Sequence, residues 1–73
     1  MKDDSVEVHV ERYADGMLVG DAYRDGSNVD LWFDTTPTEV ARRIIDFASG
    51  IAYVTGGVLR RVSDTHFRLE PNR

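Results

Sequence analysis

The chain has 73 residues, so we expect one domain over 1–73, and a chain this short buries only about 60% of its unfolded surface, which leaves its own core marginal. The absence of cysteine excludes disulfides, thiolate metal sites and cysteine nucleophiles, and is compatible with the cytosol. A formal net charge of −4 argues against nucleic acid as a partner, because phosphate binding needs clustered basic residues.

The first predicted element is a strand over 6–10. Val6, Val8 and Val10 alternate with polar residues, which is the period-two pattern of a strand with one face turned inward. We expect residues 1–5, ahead of this strand, to be disordered.

A short helix and a second strand follow. The helix is predicted over 15–24, although its two glycines each lower helix propensity by about 1 kcal/mol relative to alanine. Residues 25–28 indicate a turn, and 29–33 predicts a strand whose alternate apolar residues share one face. Asp30 and Trp32 lie on the opposite face.

The strongest helix signal lies at the start of a segment over 37–55. The run Thr36-Pro37-Thr38-Glu39 combines a Thr N-cap, Pro at the first helical position and a Glu that completes a capping box. Gly56-Gly57 supplies the permissive backbone of a helix stop. Gly50 is a point at which this helix could kink or divide.

The apolar residues of this helix cover an arc of roughly 180°, wider than the stripe of about 100° that one contact needs. We interpret the excess as a contact with the same helix of a second copy, which would form a closed two-fold interface. Ala48, Ser49, Gly50 and Ala52 are small enough for close helix approach. The alternative is a helix buried deeply against its own sheet.

Two strands, over 57–62 and 65–69, complete the pattern as a hairpin. With a three-residue loop Arg61 faces Phe67 across the hairpin, whereas with a two-residue loop Val62 faces Phe67. The element order is β-α-β-α-β-β. This order predicts an α/β (α+β) sandwich, with a small mixed sheet and helices packed on it, that dimerises.

Charge is distributed unevenly along the chain. Residues 1–34 carry three basic and nine acidic side chains, a net of −6, whereas 56–73 carry four arginines and two acids, a net of +2. The basic end is either an ordinary solvated hairpin or a small anion-binding surface. If Arg61 and Phe67 lie side by side, they suit an acidic and apolar peptide. The alternative makes Phe67 a plain core residue.

No residue pattern supports catalysis. His9 and His66 have no further His or Cys spaced to share a metal, and we interpret both as surface residues. Ser49 lies inside a helix without a neighbouring base, so we interpret it as a packing residue. We therefore expect no enzyme activity, cofactor or metal. The apolar runs are far shorter than the roughly 20 residues of a membrane span, so we also expect a soluble chain.

The segment 41–71 contains an ordered set of short motifs. They are Arg42-Arg43, Ile44-Ile45, Asp46-Phe47, Ser49-Gly50, Tyr53, Gly56-Gly57, Arg60-Arg61-Val62 and Phe67-Arg68-Leu69-Glu70-Pro71. In this order and spacing they resemble the core of SepF, a family of bacterial cell-division proteins. With Tyr13 and the segment 18–26, which resembles an actinobacterial form of the first helix, the resemblance covers residues 6–71.

The resemblance implies a dimer that binds the C-terminal tail of FtsZ, the tubulin-like protein of the division ring, and helps link that ring to the membrane during septum formation. The positions that match the family's basic and aromatic contacts to the tail are Arg61 and Phe67. The implied location is the cytoplasmic, inner face of the membrane at the division site. The helix contact implied for assembly comprises Phe47, Ala48, Ser49 and Gly50.

SepF proteins usually begin with an amphipathic membrane-binding helix and a linker, so the resemblance implies membrane contact only through a segment absent from this chain. Asp30 also places a charge where the second strand of the family is usually apolar throughout, which implies that one face of the sheet is more exposed than usual. A different class also fits the element order: a small dimeric α/β module that regulates or binds a ligand, or a SepF-like paralogue without FtsZ binding. An FtsZ tail peptide and a set of metabolites distinguish these classes, because only a ligand that binds the folded state raises its Tm.

Overall fold

The computed structural model describes residues 5–72, which form a four-stranded mixed sheet with two helices. The sheet order is β1-β2-β4-β3, with β1 parallel to β2 and the other neighbours antiparallel. The elements are β1 (Ser5–His9), α1 (Asp15–Arg24), β2 (Asn28–Trp32), α2 (Thr38–Thr55), β3 (Val58–Arg61) and β4 (His66–Glu70). The α+β class and the predicted element order are confirmed.

β1 occupies one edge of the sheet and pairs with β2. Val8 and Val10 are buried as the alternation predicted, whereas Val6 is partly exposed. Ser5, which we expected to be disordered, is the first residue of β1, and the rest of that predicted segment, residues 1–4, lies outside the described residues.

Both helices cover the same face of the sheet. α1 packs on β1 and β2, α2 packs on β3 and β4, and the two helices contact each other. The buried apolar residues between the layers are Val8, Val10, Val19, Tyr23, Val29, Leu31, Phe33, Ile44, Ala48, Ala52 and Leu69. A Cβ on Gly16 would lie 3.0 Å from Cδ1 of Ile44 on α2. Gly16 weakens α1 as an isolated helix, but it permits α1 to pack closely on α2.

The start of α2 differs from the predicted capping box. Pro37 is the N-cap residue, the helix begins at Thr38, and no side chain caps its N-terminus. The Thr36 hydroxyl instead donates a hydrogen bond to the carbonyl oxygen of Val10, just after β1. The predicted Thr36 cap was wrong because this side chain finds a tertiary partner, and the resulting bond ties the loop before α2 to the sheet.

The end of α2 is the predicted glycine stop. Gly56 adopts the left-handed conformation, with φ of 76°, and the N–H of Gly57 donates to the carbonyl oxygen of Ala52 at 2.9 Å. Gly57 is also confined by space, since a Cβ there would collide with the Tyr23 hydroxyl and lie 2.6 Å from the carbonyl oxygen of Glu70. The double glycine therefore both ends α2 and lets β3 begin close to the core.

Asp15, the first residue of α1, fixes the segment before the helix. The N–H groups of Glu11 and Arg12 donate to Oδ2 of Asp15 at 2.8 and 3.1 Å. These two donors hold the pKa of the Asp15 carboxyl below its ordinary value of 3.8, and the N–H of Glu11 has the larger effect. The negative charge also lies at the helix N-terminus, where the helix dipole favours it.

We expect Asp15→Asn to lower the Tm at neutral pH and to have less effect in acid. Because the folded-state pKa is depressed, the charged carboxylate stabilises the fold above the unfolded pKa, and this contribution is lost as the pH falls through the folded pKa. Calorimetry should show the two melting temperatures converge below pH 3.8. Asp21→Asn, a second acid of α1, is the control, and an Asp15→Asn deficit of equal size at every pH would contradict the assignment.

Candidate functional site

The β3–β4 hairpin has the register of the three-residue loop. Arg61 pairs with Phe67, and the N–H groups of Val62 and Ser63 donate to the carbonyl oxygen of His66 at 2.8 and 3.0 Å. Since side chains alternate along a strand, Arg61 and Phe67 both point to the side of the sheet that carries the core and the helices. The structure thus selects one of the two registers that the sequence left open.

Phe67 is half-buried and makes two ring contacts. Its ring meets that of Phe33 edge to face, with centroids 5.6 Å apart and planes at 88°. The guanidinium carbon of Arg61 lies 6.0 Å from the centroid of the Phe67 ring. Phe67 therefore belongs partly to the core and partly to the surface beside Arg61.

Arg61 is exposed, and its guanidinium contacts the hairpin loop. Nη2 donates to Oδ1 of Asp64 at 2.9 Å, and Nε donates to the carbonyl oxygen of Ser63 at 3.4 Å. Both side chains of the ion pair are open to solvent, and such pairs contribute about 0.2–1 kcal/mol. A carboxylate from a partner could therefore replace Asp64 at a cost no larger than this.

The other C-terminal arginines offer less positive surface than the charge count predicts. Arg60 points to the opposite face of the sheet, where its Nη2 lies 2.7 Å from Oε2 of Glu70. Arg68 is largely buried and pairs with two carboxylates, at 3.0 and 3.1 Å. Arg73 lies outside the described residues. On the helix side of the described hairpin, Arg61 is thus the cation that an acidic ligand can reach.

The residues predicted at the helix contact do not all face outward. Phe47, Ser49 and Gly50 are exposed on α2, whereas Ala48 and Ala52 are 0% and 5% exposed and belong to the core. The small size of Ala48 lets α2 approach the sheet of its own chain. We therefore remove Ala48 from the predicted interface and retain the other three. α2 runs without a break through Gly50.

An open apolar groove lies along the outer side of α2. Its volume is about 530 Å³, and its lining residues are Asp46, Phe47, Gly50, Ile51, Val54 and Thr55. Phe47 is 44% and Val54 81% exposed, and a Cβ on Gly50 would meet no atom within 4 Å. Within residues 5–72 nothing fills the space above Gly50, so this groove is a candidate contact surface.

Comparison with known proteins identifies the family. Residues 6–73 match the family described as "Cell division protein SepF". The chain belongs to the SepF family. The cell division protein SepF of Bifidobacterium animalis subsp. lactis is 41% identical over 66 residues, and that of a Nocardioides species is 31% identical over 64. SepF is a family of cell-division proteins and not of enzymes.

The chain spans about two-fifths of the length of these SepF relatives. The matches cover 90% and 88% of the chain but 42% and 39% of the Bifidobacterium and Nocardioides proteins. Among solved structures, a SepF-like protein from Pyrococcus furiosus superposes with a TM-score of 0.79, over 97% of this chain and 89% of that one. The two sequences are 17% identical, so this likeness shows a shared fold.

In this SepF-family domain, the face of the sheet that points away from the helices carries a polar cluster. The sequence alone did not predict this cluster. Asp30 is 6% exposed, accepts two hydrogen bonds from Nη1 of Arg68 at 3.2 and 3.0 Å, and lies 2.8 Å from Nε2 of His66. We expected Asp30 to mark an exposed face, but Arg68 and His66 bury it. The sequence signal for this cluster is the alternation of His66 and Arg68 on β4, which places both side chains on the same face as Asp30 of the neighbouring β2.

Trp32 stands between two histidines on the same face. The ring of His66 stacks on that of Trp32 with centroids 3.9 Å apart, and the ring of His9 lies 6.2 Å away on the neighbouring strand. His9 is exposed as predicted, whereas His66 is a partly buried member of the cluster rather than a surface residue. The cluster therefore joins the three strands β1, β2 and β4.

A second cavity, of about 450 Å³, lies at the C-terminal ends of the two helices, where the hydroxyls of Tyr23 and Thr55 hydrogen-bond to each other. It is the place where a ligand-binding module would hold a small molecule.

Within residues 5–72, no three His, Cys, Asp or Glu side chains are grouped as a metal site requires. None of the described helices is long and apolar enough to cross a membrane.

Proposed function

We propose that this domain binds the C-terminal tail of FtsZ at the β3–β4 hairpin, acts as a dimer, and helps link the division ring to the membrane during septum formation. The observation that carries the proposal is the cross-strand pairing of Arg61 with Phe67 in a domain of the SepF family. The corresponding location is the cytoplasmic, inner face of the membrane at the division site.

The chemistry of the hairpin suits a tail that is both acidic and apolar. Arg61 offers a planar fork of N–H donors to a carboxylate, and Phe67 offers a half-buried ring to an apolar side chain. The two groups lie 6.0 Å apart, so neighbouring acidic and apolar residues of one peptide can engage both.

The groove on α2 supports a dimer in which the occupant is α2 of a second copy. Phe47 and Val54 present apolar area to solvent, and the open space at Gly50 allows another helix to approach closely. A two-fold axis would place this groove against itself and bury both exposed faces. Phe47, Ser49 and Gly50 are the predicted residues that remain available for this contact.

We attribute the link to the membrane to a part of the protein outside this domain. The relatives from Bifidobacterium and Nocardioides are more than twice as long as the region that this chain matches, which is 42% and 39% of their length. We propose that a segment outside these 73 residues contacts the membrane, while the domain described here holds the FtsZ tail.

Calorimetric titration with the tail peptide of FtsZ from the same organism tests the proposal. The peptide should bind and raise the Tm, while a scrambled peptide of equal charge should bind more weakly because it misplaces the apolar residue. The absence of tail binding by the folded protein would refute the proposal. A metabolite that raises the Tm where the tail does not would favour the ligand-binding alternative and direct attention to the cavity beside Tyr23.

We expect Gly50→Lys to convert a dimer, of about twice the 8.3 kDa chain mass, into a monomer. In a single chain the lysine would point into open space, so the fold should persist. In the proposed dimer it would force a long charged side chain between two closely packed helices. Light scattering at micromolar concentration measures the mass, and circular dichroism checks that the variant is folded.

Two controls accompany Gly50→Lys. Gly50→Ala should keep the dimer and stabilise α2 by about 1 kcal/mol, because alanine favours a helix over glycine. Thr35→Lys adds the same charge at an exposed position of the loop before α2 and should leave the mass unchanged. A monomeric unmodified chain would contradict the dimer, whereas a dimeric Gly50→Lys variant would contradict only the α2 contact.

A further inference from the structure

Arg61, the cation of the proposed tail site, is paired with an acid of its own loop. Its Nη2 lies 2.9 Å from Oδ1 of Asp64, three residues along the chain. The Asp64 side chain is 96% exposed, so its orientation is set by this ion pair rather than by packing. The carboxylate stands beside the same guanidinium that an acidic ligand would seek.

The loop that carries Asp64 is fixed on both sides. The N–H of Ser63 donates to the carbonyl oxygen of His66 at 3.0 Å, and the N–H of Thr65 donates to Oγ of Ser63 at 3.3 Å. The carbonyl oxygen of Thr65 accepts from the N–H of Phe33, just after β2, at 2.8 Å. Asp64 therefore stays within reach of Arg61 whenever the ion pair opens.

We propose that Asp64 is an internal competitor for Arg61. The Asp64 carboxylate occupies the position that a carboxylate of the ligand would take, and so it lowers the affinity for acidic peptides. The proposal rests on the proposed function and concerns the selectivity of the same site. A ligand that offers only a carboxylate exchanges one ion pair for another and gains little. Net affinity must then come from apolar contact with Phe67, so the hairpin selects peptides that carry both an acidic and an apolar residue.

The exposure of the pair limits the size of this effect. Exposed ion pairs are worth about 0.2–1 kcal/mol, which corresponds to a factor of about 1.4 to 5 in affinity. Asp64 should therefore attenuate binding rather than prevent it. Salt should reduce the effect, because exposed charges are screened over about 8–10 Å at physiological ionic strength.

Asp64→Asn tests the proposal, because asparagine keeps the size of the side chain and removes its charge. Calorimetry with the FtsZ tail peptide should show affinity up to about fivefold higher than that of the unmodified chain at low salt, and a smaller gain at high salt. Asp21→Asn makes the same change in net charge within another exposed pair, with Arg24, and should leave affinity unchanged. In an Arg61→Gln background, Asp64→Asn should give no gain, since the competition has no target.

Each outcome separates this inference from the proposed function. If the unmodified chain binds the tail and Asp64→Asn binds equally or more weakly, Asp64 does not compete for Arg61, and the inference alone fails. An equal gain in the Asp21→Asn variant, or a gain that persists in the Arg61→Gln background, would assign the effect to net charge and also overturn the inference. If neither the unmodified chain nor Asp64→Asn binds, both proposals fail.

Discussion

Asp30→Ala should lower the free energy of unfolding by about 3 kcal/mol and the Tm by roughly 12 °C or more. The substitution leaves the largely buried guanidinium of Arg68 without its main partner, and removing one member of a buried ion pair typically costs about 3–5 kcal/mol. We expect the lower end of that range because Nε of Arg68 keeps Oε2 of Glu70 at 3.1 Å. Urea denaturation measures the loss.

Two further variants identify the cause of that loss. The double variant Asp30→Leu with Arg68→Leu should be more stable than Asp30→Ala, because replacing both partners of a buried pair by apolar residues is often neutral or stabilising. Asp21→Ala breaks an exposed pair, 3.4 Å from Arg24, and should cost less than about 1 kcal/mol. If Asp30→Ala unfolds at the same urea concentration as the unmodified chain, the cluster on this face does not stabilise the fold.

The sequence predicts elements well where adjacent residues decide them. The helix over 15–24 has the same bounds as α1, because its turn signal at 25–28 is local. The stop of α2 at Gly56 is equally local, since a left-handed residue there needs no distant partner. The start of α2 is different, because the Thr36 hydroxyl bonds to Val10, 26 residues away, and no local pattern indicates such a partner.

Sheet order explains most of what the sequence could not predict. β4 lies between β2 and β3, which brings Arg68 opposite Asp30, 38 residues earlier in the chain, and turns an unexplained charge into a buried pair. The hairpin sequence restricted Arg61 and Phe67 to two registers, and pairing across the strands was needed to choose one.

The helical wheel of α2 had a similar limit. It predicted an arc wide enough for two contacts, but the side that meets the sheet depends on how α2 is rotated on β3 and β4. That rotation buries Ala48 and leaves Gly50 open. The sequence therefore indicated which residues of α2 are suited to the proposed interface, but not which of them face the sheet of their own chain and which face outward.

Arg61→Glu and Phe67→Ala should each weaken binding of the FtsZ tail by at least about tenfold, the loss expected of residues that dominate an interface. Arg61→Glu reverses the charge that meets an acidic peptide, so its effect should be larger at low salt than at high salt. Phe67→Ala removes apolar contact, and its effect should be nearly independent of salt. Calorimetric titration at two ionic strengths distinguishes the two contributions.

Control variants separate binding from folding at this hairpin. Arg60→Glu makes the same charge reversal, and Val58→Ala removes exposed apolar area. Both residues lie on the opposite face of the sheet, so neither substitution should change tail affinity by more than about twofold. Phe67→Ala should also lower stability, by less than the roughly 3–5 kcal/mol of a fully buried phenylalanine, because its ring packs on Phe33 but is only partly buried. Its affinity must therefore be measured well below its Tm. Unchanged tail affinity in folded Arg61→Glu and Phe67→Ala would place the tail elsewhere on the domain, because both substitutions alter the side of the hairpin that the proposal assigns to the peptide.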